Sequence, residues 1–210
     1  MTTPGNRIKL LDSHLVERCV EVIQAGELIV FPTETIYGIG GSALDARIWE
    51  RLKKLKPDRN KPFTYLVSDW DMVESFVQGD IKQIQRIMKR LCPGPVTLVC
   101  YASSRIEERF ANSDGSLAVR CPAIDRIREA IKVSGVPWVH TSANLSGQPS
   151  VRLLRKMSPE VLSAASLVID GGMTALGGES TVLDLRVSPF KILRKGILTE
   201  KQIRDAIDKN

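Results

Sequence analysis

Hydroxyl, carboxylate and glycine residues follow one short apolar segment in an arrangement typical of a small-ligand site. After the apolar run 28–31 the chain continues Pro32-Thr33-Glu34-Thr35-Ile36-Tyr37-Gly38-Ile39-Gly40. Hydroxyl groups and the backbone amides that glycine leaves accessible favour a cradle for a small polar ligand, although a structural turn has the same composition. Gly38 and Gly40 do not complete a dinucleotide fingerprint, because Ala43 stands where the third glycine belongs.

A basic cluster lies just before Pro62. It is composed of Arg51, Lys53, Lys54, Lys56, Arg59 and Lys61. Pro57 predicts that a helix ends near Lys56, because proline disfavours helical backbone in the residue before it. Lys54 and Lys56 then flank a loop, where cations suit a polyphosphate through charge and hydrogen bonds. The solvated end of a helix is the alternative interpretation of the same charges.

A third cluster is rich in hydroxyl and amide side chains. It reads Thr141-Ser142-Ala143-Asn144-Leu145-Ser146-Gly147-Gln148-Pro149-Ser150 and follows the apolar segment 136–139. These groups can donate hydrogen bonds to phosphate oxygens or contact the edge of a base. Composition alone slightly favours a hydrophilic loop.

Two arginines stand within or beside apolar strand patterns. Arg120 lies in the apolar segment 117–122, and Arg194 lies beyond the hydroxyl-bearing segment 180–185. A buried arginine requires an anionic partner, and a protein carboxylate is the commoner one. Several such cations lie near strand ends that also carry hydroxyl groups, among them that of Ser180. Together they favour an anionic ligand, rather than a protein carboxylate, as the partner of the arginines.

Helical and strand patterns alternate along the chain and must position these clusters. Helices are predicted over 13–25, 45–54, 69–78, 80–91 and 125–133, with two more beginning at 158 and 199. Strands are predicted over 28–31, 63–67, 95–101, 117–120, 136–140, 168–169, 181–185 and 191–193. The irregular spacing favours an α/β fold with a twisted mixed sheet and flanking helices over an eight-unit barrel. No repeat or linker divides the chain, so we expect a single domain over 1–210, with the motifs inside about 13–197.

The composition of the 210 residues is that of a globular protein with a moderate positive charge, which is also ordinary for a soluble protein. Hydrophobic residues make up 43% and charged residues 26%, which excludes intrinsic disorder. The 30 Lys and Arg against 24 Asp and Glu leave a net charge of +6, which suits nucleotides, phosphates or RNA. No apolar run reaches the roughly 18 residues of a membrane-spanning helix, and the start MTTPGNRIKL lacks the apolar segment of a signal peptide. We therefore expect a soluble, cytoplasmic protein without a membrane partner.

The cysteines and histidines argue against a structural metal and against histidine-based catalysis. The four cysteines are Cys19, Cys92, Cys100 and Cys121. They show no CxxC spacing and no neighbouring histidine, so a zinc site is not expected. Their apolar neighbours predict buried, reduced thiols. Because His14 and His140 are the only histidines, the chemistry must rely on other groups.

Five strings, in this order, resemble the YrdC-like family, which includes threonylcarbamoyl-AMP synthases and YciO-type relatives. They are FPTETIYGIG (31–40), PGPVTLV (93–99), AVRCPA (118–123), TSANLSGQPS (141–150) and STVLDL (180–185). The resemblance implies a twisted mixed sheet with a concave basic cavity. It also implies that L-threonine, bicarbonate and ATP react to give threonylcarbamoyl-AMP and pyrophosphate, the first step of threonylcarbamoyladenosine formation in transfer RNA.

Carried over by motif, the resemblance implies two sets of site residues. The L-threonine site comprises Thr33, Arg120 and Ser180. The nucleotide site comprises Lys54, Lys56, Arg59, Ser142, Asn144, Ser150 and Arg194. No side chain is assigned as a general acid or base or as a metal ligand, and Mg²⁺ is expected to enter with ATP. The implied partners are ATP, L-threonine, bicarbonate, a downstream threonylcarbamoyl transferase complex, and transfer RNA or another RNA.

The chain departs from the family pattern around the KxR signature, which falls here on Lys54-Leu55-Lys56. Lys56 replaces arginine and cannot make a bidentate contact, so Arg59 is expected to supply the guanidinium. The loop 57–62 is one residue longer than usual, and Phe63-Thr64 is similar to the YciO-type branch. Two alternatives to a synthase stay open: a YciO-type nucleotide- or RNA-binding protein with weak or different activity, and an enzyme that adenylates another small amino-acid-like substrate.

Overall fold

The computed structural model describes residues 7–58 and 63–208. The strands in these ranges are β1 (Arg7–Lys9), β2 (Ile29–Pro32), β3 (Tyr37–Ser42), β4 (Thr64–Leu66), β5 (Val77–Gln78), β6 (Val96–Ala102), β7 (Ser116–Arg120), β8 (Trp138–Ser142), β9 (Leu167–Asp170), β10 (Thr181–Asp184) and β11 (Lys191–Arg194). The helices are α1 (Leu15–Gln24), α2 (Ala46–Leu55), α3 (Trp70–Glu74), α4 (Ile81–Leu91), α5 (Asp125–Ser134), α6 (Pro159–Ala164) and α7 (Glu200–Asp208). Short 3-10 turns lie at Glu108–Phe110 and Leu154–Lys156.

All of these strands belong to one mixed sheet. Its order is β1-β9-β2-β3-β8-β4-β7-β6-β10-β11, and β5 pairs with β6 outside this path. Parallel pairs join β9 to β1 and β2, β4 to β7, and β6 to β10. The other neighbours are antiparallel. The predicted α/β class, with a mixed sheet and flanking helices, is therefore confirmed.

The two faces of the sheet bury two separate hydrophobic cores. One core joins Val30 and Tyr65 to apolar side chains of α2, α4 and α7. The other joins Phe31, Leu66 and Trp138 to apolar side chains of α1 and α5. Successive residues of a strand point to opposite faces, so neighbours such as Val30 and Phe31 enter different cores.

The face that carries α1 and α5 changes from apolar to polar within single strands. Leu66 pairs with both Trp138 and Arg120, and Thr64 pairs with His140. Residues two apart in a strand share a face. Thr64, His140 and Arg120 therefore lie on the same face as the apolar residues that α1 and α5 cover.

Strand β3 was not predicted, because its residues belong to the cluster interpreted as a ligand cradle or turn. Gly40 pairs with His140 across the sheet. A Cβ atom on Gly40 would lie 2.2 Å from the carbonyl oxygen of Val139, and one on Gly38 would lie 2.9 Å from Nδ1 of His140. These glycines are therefore required for close packing of β3 against β8. Strands β1 and β5 were also not predicted.

Most helices begin where they were predicted because a side chain caps the first turn. Asp45, Asp69, Asp80 and Ser158 accept a backbone N–H at the starts of α2, α3, α4 and α6. Two predictions are wrong in detail. The helix predicted over 69–78 ends at Glu74, because β5 follows and pairs with β6. Helix α1 begins at Leu15, with His14 rather than Ser13 at its N-cap.

All four cysteines are free thiols. Burial raises the pKa of Cys19, Cys92 and Cys100 to about 12 and that of Cys121 to about 11. A thiol with so high a pKa stays protonated and unreactive at neutral pH. The prediction of buried, reduced thiols is confirmed for Cys19, Cys100 and Cys121, whereas Cys92 is only partly buried.

Within residues 7–58 and 63–208, no helix combines the length and the apolar character that a membrane span requires.

We expect Gly40→Ala to lower the free energy of unfolding by about 3 kcal/mol, because the new methyl group overlaps backbone that cannot move aside. Gly135→Ala is the control. Gly135 ends α5 with a φ of 72°, and a Cβ atom at this position would have no neighbour within 4 Å. The control variant should therefore lose only about 1 kcal/mol from backbone strain. Urea unfolding measures both losses. Equal losses would contradict the packing role of Gly40.

Candidate functional site

A cavity of about 620 Å³ opens on the polar part of the α1–α5 face. It is lined by Ile36, Lys56, Asp58, Thr64, Thr97, Arg120, His140, Thr141, Ser142, Asn144, Ser146, Gly147, Gln148, Ser150, Glu179, Ser180 and Arg194. Its size is that of a small-ligand site. Three of the lining residues are cations and two are carboxylates, and most of the others carry a hydroxyl or amide group.

Seven of the predicted site residues meet in this cavity: Lys56, Arg120, Ser142, Asn144, Ser150, Ser180 and Arg194. They come from separate places in the chain that the sheet brings together. Lys56 follows α2, Arg120 ends β7, Ser142 ends β8 and Arg194 ends β11. Lys54 is exposed on α2 and Thr33 is buried, and neither lines the cavity. Arg59 lies outside the described residues.

Arg120 is buried and is held by two acceptors from the first polar cluster. Its Nη2 donates to Oε1 of Glu34 at 2.6 Å and to Oγ1 of Thr35 at 2.8 Å. Oε2 of Glu34 accepts from the backbone N–H of Ala123 at 2.9 Å. The expected anionic partner of Arg120 is therefore a protein carboxylate. The Nε–H of Arg120 has no acceptor among residues 7–58 and 63–208.

Thr33 is linked to Arg120 through Thr35, which contacts both residues. Its Oγ1 donates to the carbonyl oxygen of Ile36 at 2.6 Å and lies 2.8 Å from Oγ1 of Thr35. The same oxygen accepts from the backbone N–H groups of Thr35 and Ile36. These contacts close a tight turn. In this arrangement Thr33 supports Thr35, which in turn holds Arg120.

Arg194 and Ser180 form one hydrogen-bonded unit at the other side of the cavity. Nη2 of Arg194 donates to the carbonyl oxygen of Ser180 at 2.8 Å and to its Oγ at 3.0 Å. Oγ of Ser180 lies 2.8 Å from Oγ1 of Thr97, and Nη1 of Arg194 pairs with Glu179 at 2.8 Å. The pKa of Arg194 is lowered, chiefly because burial removes its guanidinium from water. The negative charge of Glu179 raises this pKa, and the positive charge of Arg120 lowers it. Both guanidinium groups line the same cavity, where an anion would be attracted by each of them.

Asn144 uses its side-chain amide to shape the loop after β8. Its Nδ2 donates to the carbonyl oxygens of Leu145 and Gln148, at 3.0 Å and 2.6 Å. Two carbonyl acceptors fix which end of the amide is nitrogen. Oδ1 of Asn144 is buried and has no donor within the described part of the chain. Asn144 therefore offers an acceptor, whereas the neighbouring Ser142 and Ser150 have hydroxyls that can donate.

A second cavity of about 880 Å³ adjoins the first and shares Thr64, Thr97 and Arg194 with it. Its other lining residues are Lys53, Val99, Asn112, Ser113, Asp114, Ser116, Ala118, Val182, Arg186 and Leu193. Arg186 is neutralised by Asp114 and Asp184. The mixture of apolar and hydroxyl side chains suits a ring or sugar better than a second polyphosphate.

Glu34, Thr64 and Thr97 were not predicted as site residues from the sequence. Glu34 was noted only as part of a polar cluster, and its partner lies 86 residues away in the chain. Thr64 and Thr97 are single hydroxyl residues inside strands. The alternation of side chains along a strand places Thr97 on the same face as Val99, and Thr64 on the same face as Leu66. Predicting that these two threonines line one cavity would also have required the order of the strands in the sheet.

The sequence profile of the Sua5/YciO/YrdC family, described as Telomere recombination, matches residues 21–196. A threonylcarbamoyl-AMP synthase of Pyrococcus abyssi is 33% identical over 186 residues, which cover 88% of this chain and 55% of the relative. A structure of P. abyssi Sua5 complexed with L-threonine matches with a TM-score of 0.85 at 30% identity, over 96% of this chain and 59% of that one.

The structure of E. coli YciO is similar in fold, with a TM-score of 0.77 at 22% identity. That match covers 94% of this chain and 96% of YciO. The chain thus spans nearly all of the YciO structure but little more than half of the length of the Pyrococcus relatives.

Arg120→Met should lower the free energy of unfolding by about 4 kcal/mol, because it leaves the buried carboxylate of Glu34 without a compensating charge. Adding Glu34→Gln to that variant should restore part of the loss, because the uncompensated charge is then removed. Urea unfolding of the two single variants and the double variant measures the coupling. Strictly additive losses would show that the two side chains do not interact in solution.

Proposed function

The chain belongs to the Sua5/YciO/YrdC family, and we propose that it is a threonylcarbamoyl-AMP synthase. The reaction joins L-threonine, bicarbonate and ATP into threonylcarbamoyl-AMP and releases pyrophosphate. The observation that carries the proposal is the cavity in which Lys56, Arg120 and Arg194 converge among hydroxyl side chains. Three cations in one small cavity suit the several negative charges of ATP and an amino acid together.

L-Threonine is proposed to bind at the Arg120 end of the cavity. Arg120 is a buried cation with an N–H that the described protein residues leave without an acceptor, which suits the amino-acid carboxylate. Ser180 offers a hydroxyl already oriented by Thr97 and Arg194. Thr33, the third residue assigned to this site by the family resemblance, contributes through Thr35 and Arg120.

The nucleotide is proposed to bind across the rest of the cavity. Lys56 and Arg194 neutralise the phosphates, and Ser142 and Ser150 donate hydrogen bonds to them. The buried Oδ1 of Asn144 suits a donor on the ligand rather than a phosphate oxygen. The second cavity gives the nucleoside room beside Thr64 and Thr97. Lys54 and Arg59 remain proposed nucleotide contacts, although Lys54 lines neither cavity and Arg59 lies outside the described residues.

The chemistry requires positioning more than proton transfer. The threonine amine attacks the carbon of bicarbonate, and water leaves to give a carbamate. An oxygen of that carbamate attacks the α-phosphorus of ATP and expels pyrophosphate. The carbamate is unstable in water, so a cavity that limits solvent protects it. Cations that neutralise the charge on the transferring phosphorus stabilise the transition state, and holding the reactants together supplies much of the rate.

Mg²⁺ is proposed to enter bound to the phosphates of ATP. Residues 7–58 and 63–208 contain no group of three or more His, Cys, Asp or Glu side chains that could hold a metal ion. Asp58 lines the cavity beside Lys56, and Mg²⁺ commonly takes one carboxylate together with substrate phosphates. The ion would add charge neutralisation at the phosphates, while the chain's own residues hold both substrates.

A YciO-type nucleotide- or RNA-binding protein is the second candidate, and the altered signature favours it. Lys56 stands where synthases carry arginine, and Phe63-Thr64 has the YciO-type form. In that case the same cavity binds a nucleotide without threonine-dependent turnover. Transfer RNA, another RNA and a downstream threonylcarbamoyl transferase complex remain proposed partners.

We expect the purified protein to release pyrophosphate from ATP only when L-threonine, bicarbonate and Mg²⁺ are all present. An enzyme-coupled pyrophosphate assay measures the release, and omission of each component in turn provides the controls. Arg120→Ala should abolish the threonine-dependent release, because it removes the cation at the carboxylate end. ATP binding without threonine-dependent release would contradict the synthase proposal and support the second candidate.

Lys56→Ala should raise the KM for ATP by about tenfold or more, because a buried cation at the phosphates is lost. Lys89→Ala is the matched control, since Lys89 is an exposed lysine in the last turn of α4 and lies away from both cavities. Lys56→Arg should preserve or raise activity. A sharp loss in Lys56→Arg would show that the loop 57–62 follows a different geometry from that of the family.

A further inference from the structure

Glu34 is a buried carboxylate that the proposed reaction does not use. Its side chain is only 9% exposed, and it does not line either cavity. Burial of a carboxylate is costly unless a cation and hydrogen bonds compensate it. Glu34 obtains both from one segment of the chain, the side chain of Arg120 and the backbone N–H of Ala123.

These contacts fix the plane of the Arg120 guanidinium. The two carboxylate oxygens of Glu34 accept from different donors, so the carboxylate cannot rotate without losing one of them. Nη2 of Arg120 carries two hydrogens, and it has two acceptors, Glu34 at 2.6 Å and Thr35 at 2.8 Å. The guanidinium is planar, so fixing Nη2 on both sides also fixes the directions of the other N–H groups.

We propose that Glu34 is a positioning residue that holds Arg120 in the orientation in which it binds the substrate carboxylate. The inference rests on the proposed function, because it takes an amino-acid carboxylate as the ligand of Arg120. Thr35 assists from the other side of Nη2. The segment 32–35 thereby influences substrate binding through Arg120 and not through a contact of its own with the substrate.

Charge neutralisation alone would not require this arrangement. The one hydrogen bond from Arg120 to Glu34 would by itself compensate the charge of Glu34. The second hydrogen of Nη2 is in addition bonded to Thr35, and the second oxygen of Glu34 to the backbone N–H of Ala123, so the orientation of both groups is fixed. The Nε–H of Arg120 has no acceptor among the described residues, and Arg120 lines the cavity. A fixed donor loses less conformational entropy when it binds a carboxylate than a mobile one.

Glu34→Gln tests the inference because glutamine has one acceptor oxygen where glutamate has two. The amide nitrogen must then face either Arg120 or Ala123, so one of the two contacts is lost. In the synthase assay we expect the KM for L-threonine to rise by about tenfold, with the KM for ATP unchanged within about twofold. Glu27→Gln is the matched control, since Glu27 also pairs with an arginine, Arg51, but lies outside both cavities.

The Nε–H resonance of Arg120 in ¹⁵N-arginine-labelled protein gives a readout independent of turnover, and Arg120→Lys assigns it. Glu34→Gln should shift and broaden this resonance, and Glu27→Gln should leave it unchanged. If Glu34→Gln does not fold, Thr35→Val removes one Nη2 acceptor without changing the charge and should act in the same direction. An unchanged resonance, or equal increases in the KM values for L-threonine and ATP, would overturn the inference.

The same spectra separate failure of this inference from failure of the proposed function. Absence of threonine-dependent pyrophosphate release in the wild-type protein would contradict the synthase. L-Threonine is then titrated against the Arg120 resonance. A shift in the wild-type protein that is lost in Glu34→Gln would uphold the positioning role. Absence of a shift in the wild-type protein would overturn it.

Discussion

The buried ion pair between Glu34 and Arg120 is the interaction on which the candidate site depends. It joins the turn after β2 to the end of β7, strands that do not neighbour each other in the sheet. Without Glu34, Arg120 would be a buried cation with no protein carboxylate to compensate it, and without Arg120 the carboxylate would be uncompensated. The pair therefore keeps a positive group inside the protein in the absence of a ligand.

Helices α1 and α5 cover only part of one face of the sheet, which explains why Arg120 lies in a cavity. Helices α1 and α5 pack on the apolar residues of one face, such as Leu66 and Trp138. Two residues along the same strands, Thr64 and His140 replace them and line the cavity. The cavity is therefore built on rigid strands rather than on loops alone, which suits a reaction that depends on positioning.

Local signals explain which parts of the fold were predicted from sequence. Capping residues such as Asp45 and Ser158 identified helix starts, and apolar runs identified most strands. The glycines of β3 hid a strand, because their role depends on how closely β8 approaches. The motif strings pointed to Arg120, which the cavity contains, but the partner of Arg120 depends on a contact across 86 residues. Such a contact follows from strand order, which composition and periodicity do not determine.

Glu34 is proposed to hold Arg120 so that the remaining N–H groups of Arg120 bind the substrate carboxylate. A crystal structure of the protein with bound L-threonine would measure this contact. We expect the threonine carboxylate within about 3 Å of a nitrogen of Arg120, with the contact between Arg120 and Glu34 retained. A carboxylate bound away from Arg120, or one that displaces Glu34 from it, would show that Glu34 does not position Arg120 for the substrate.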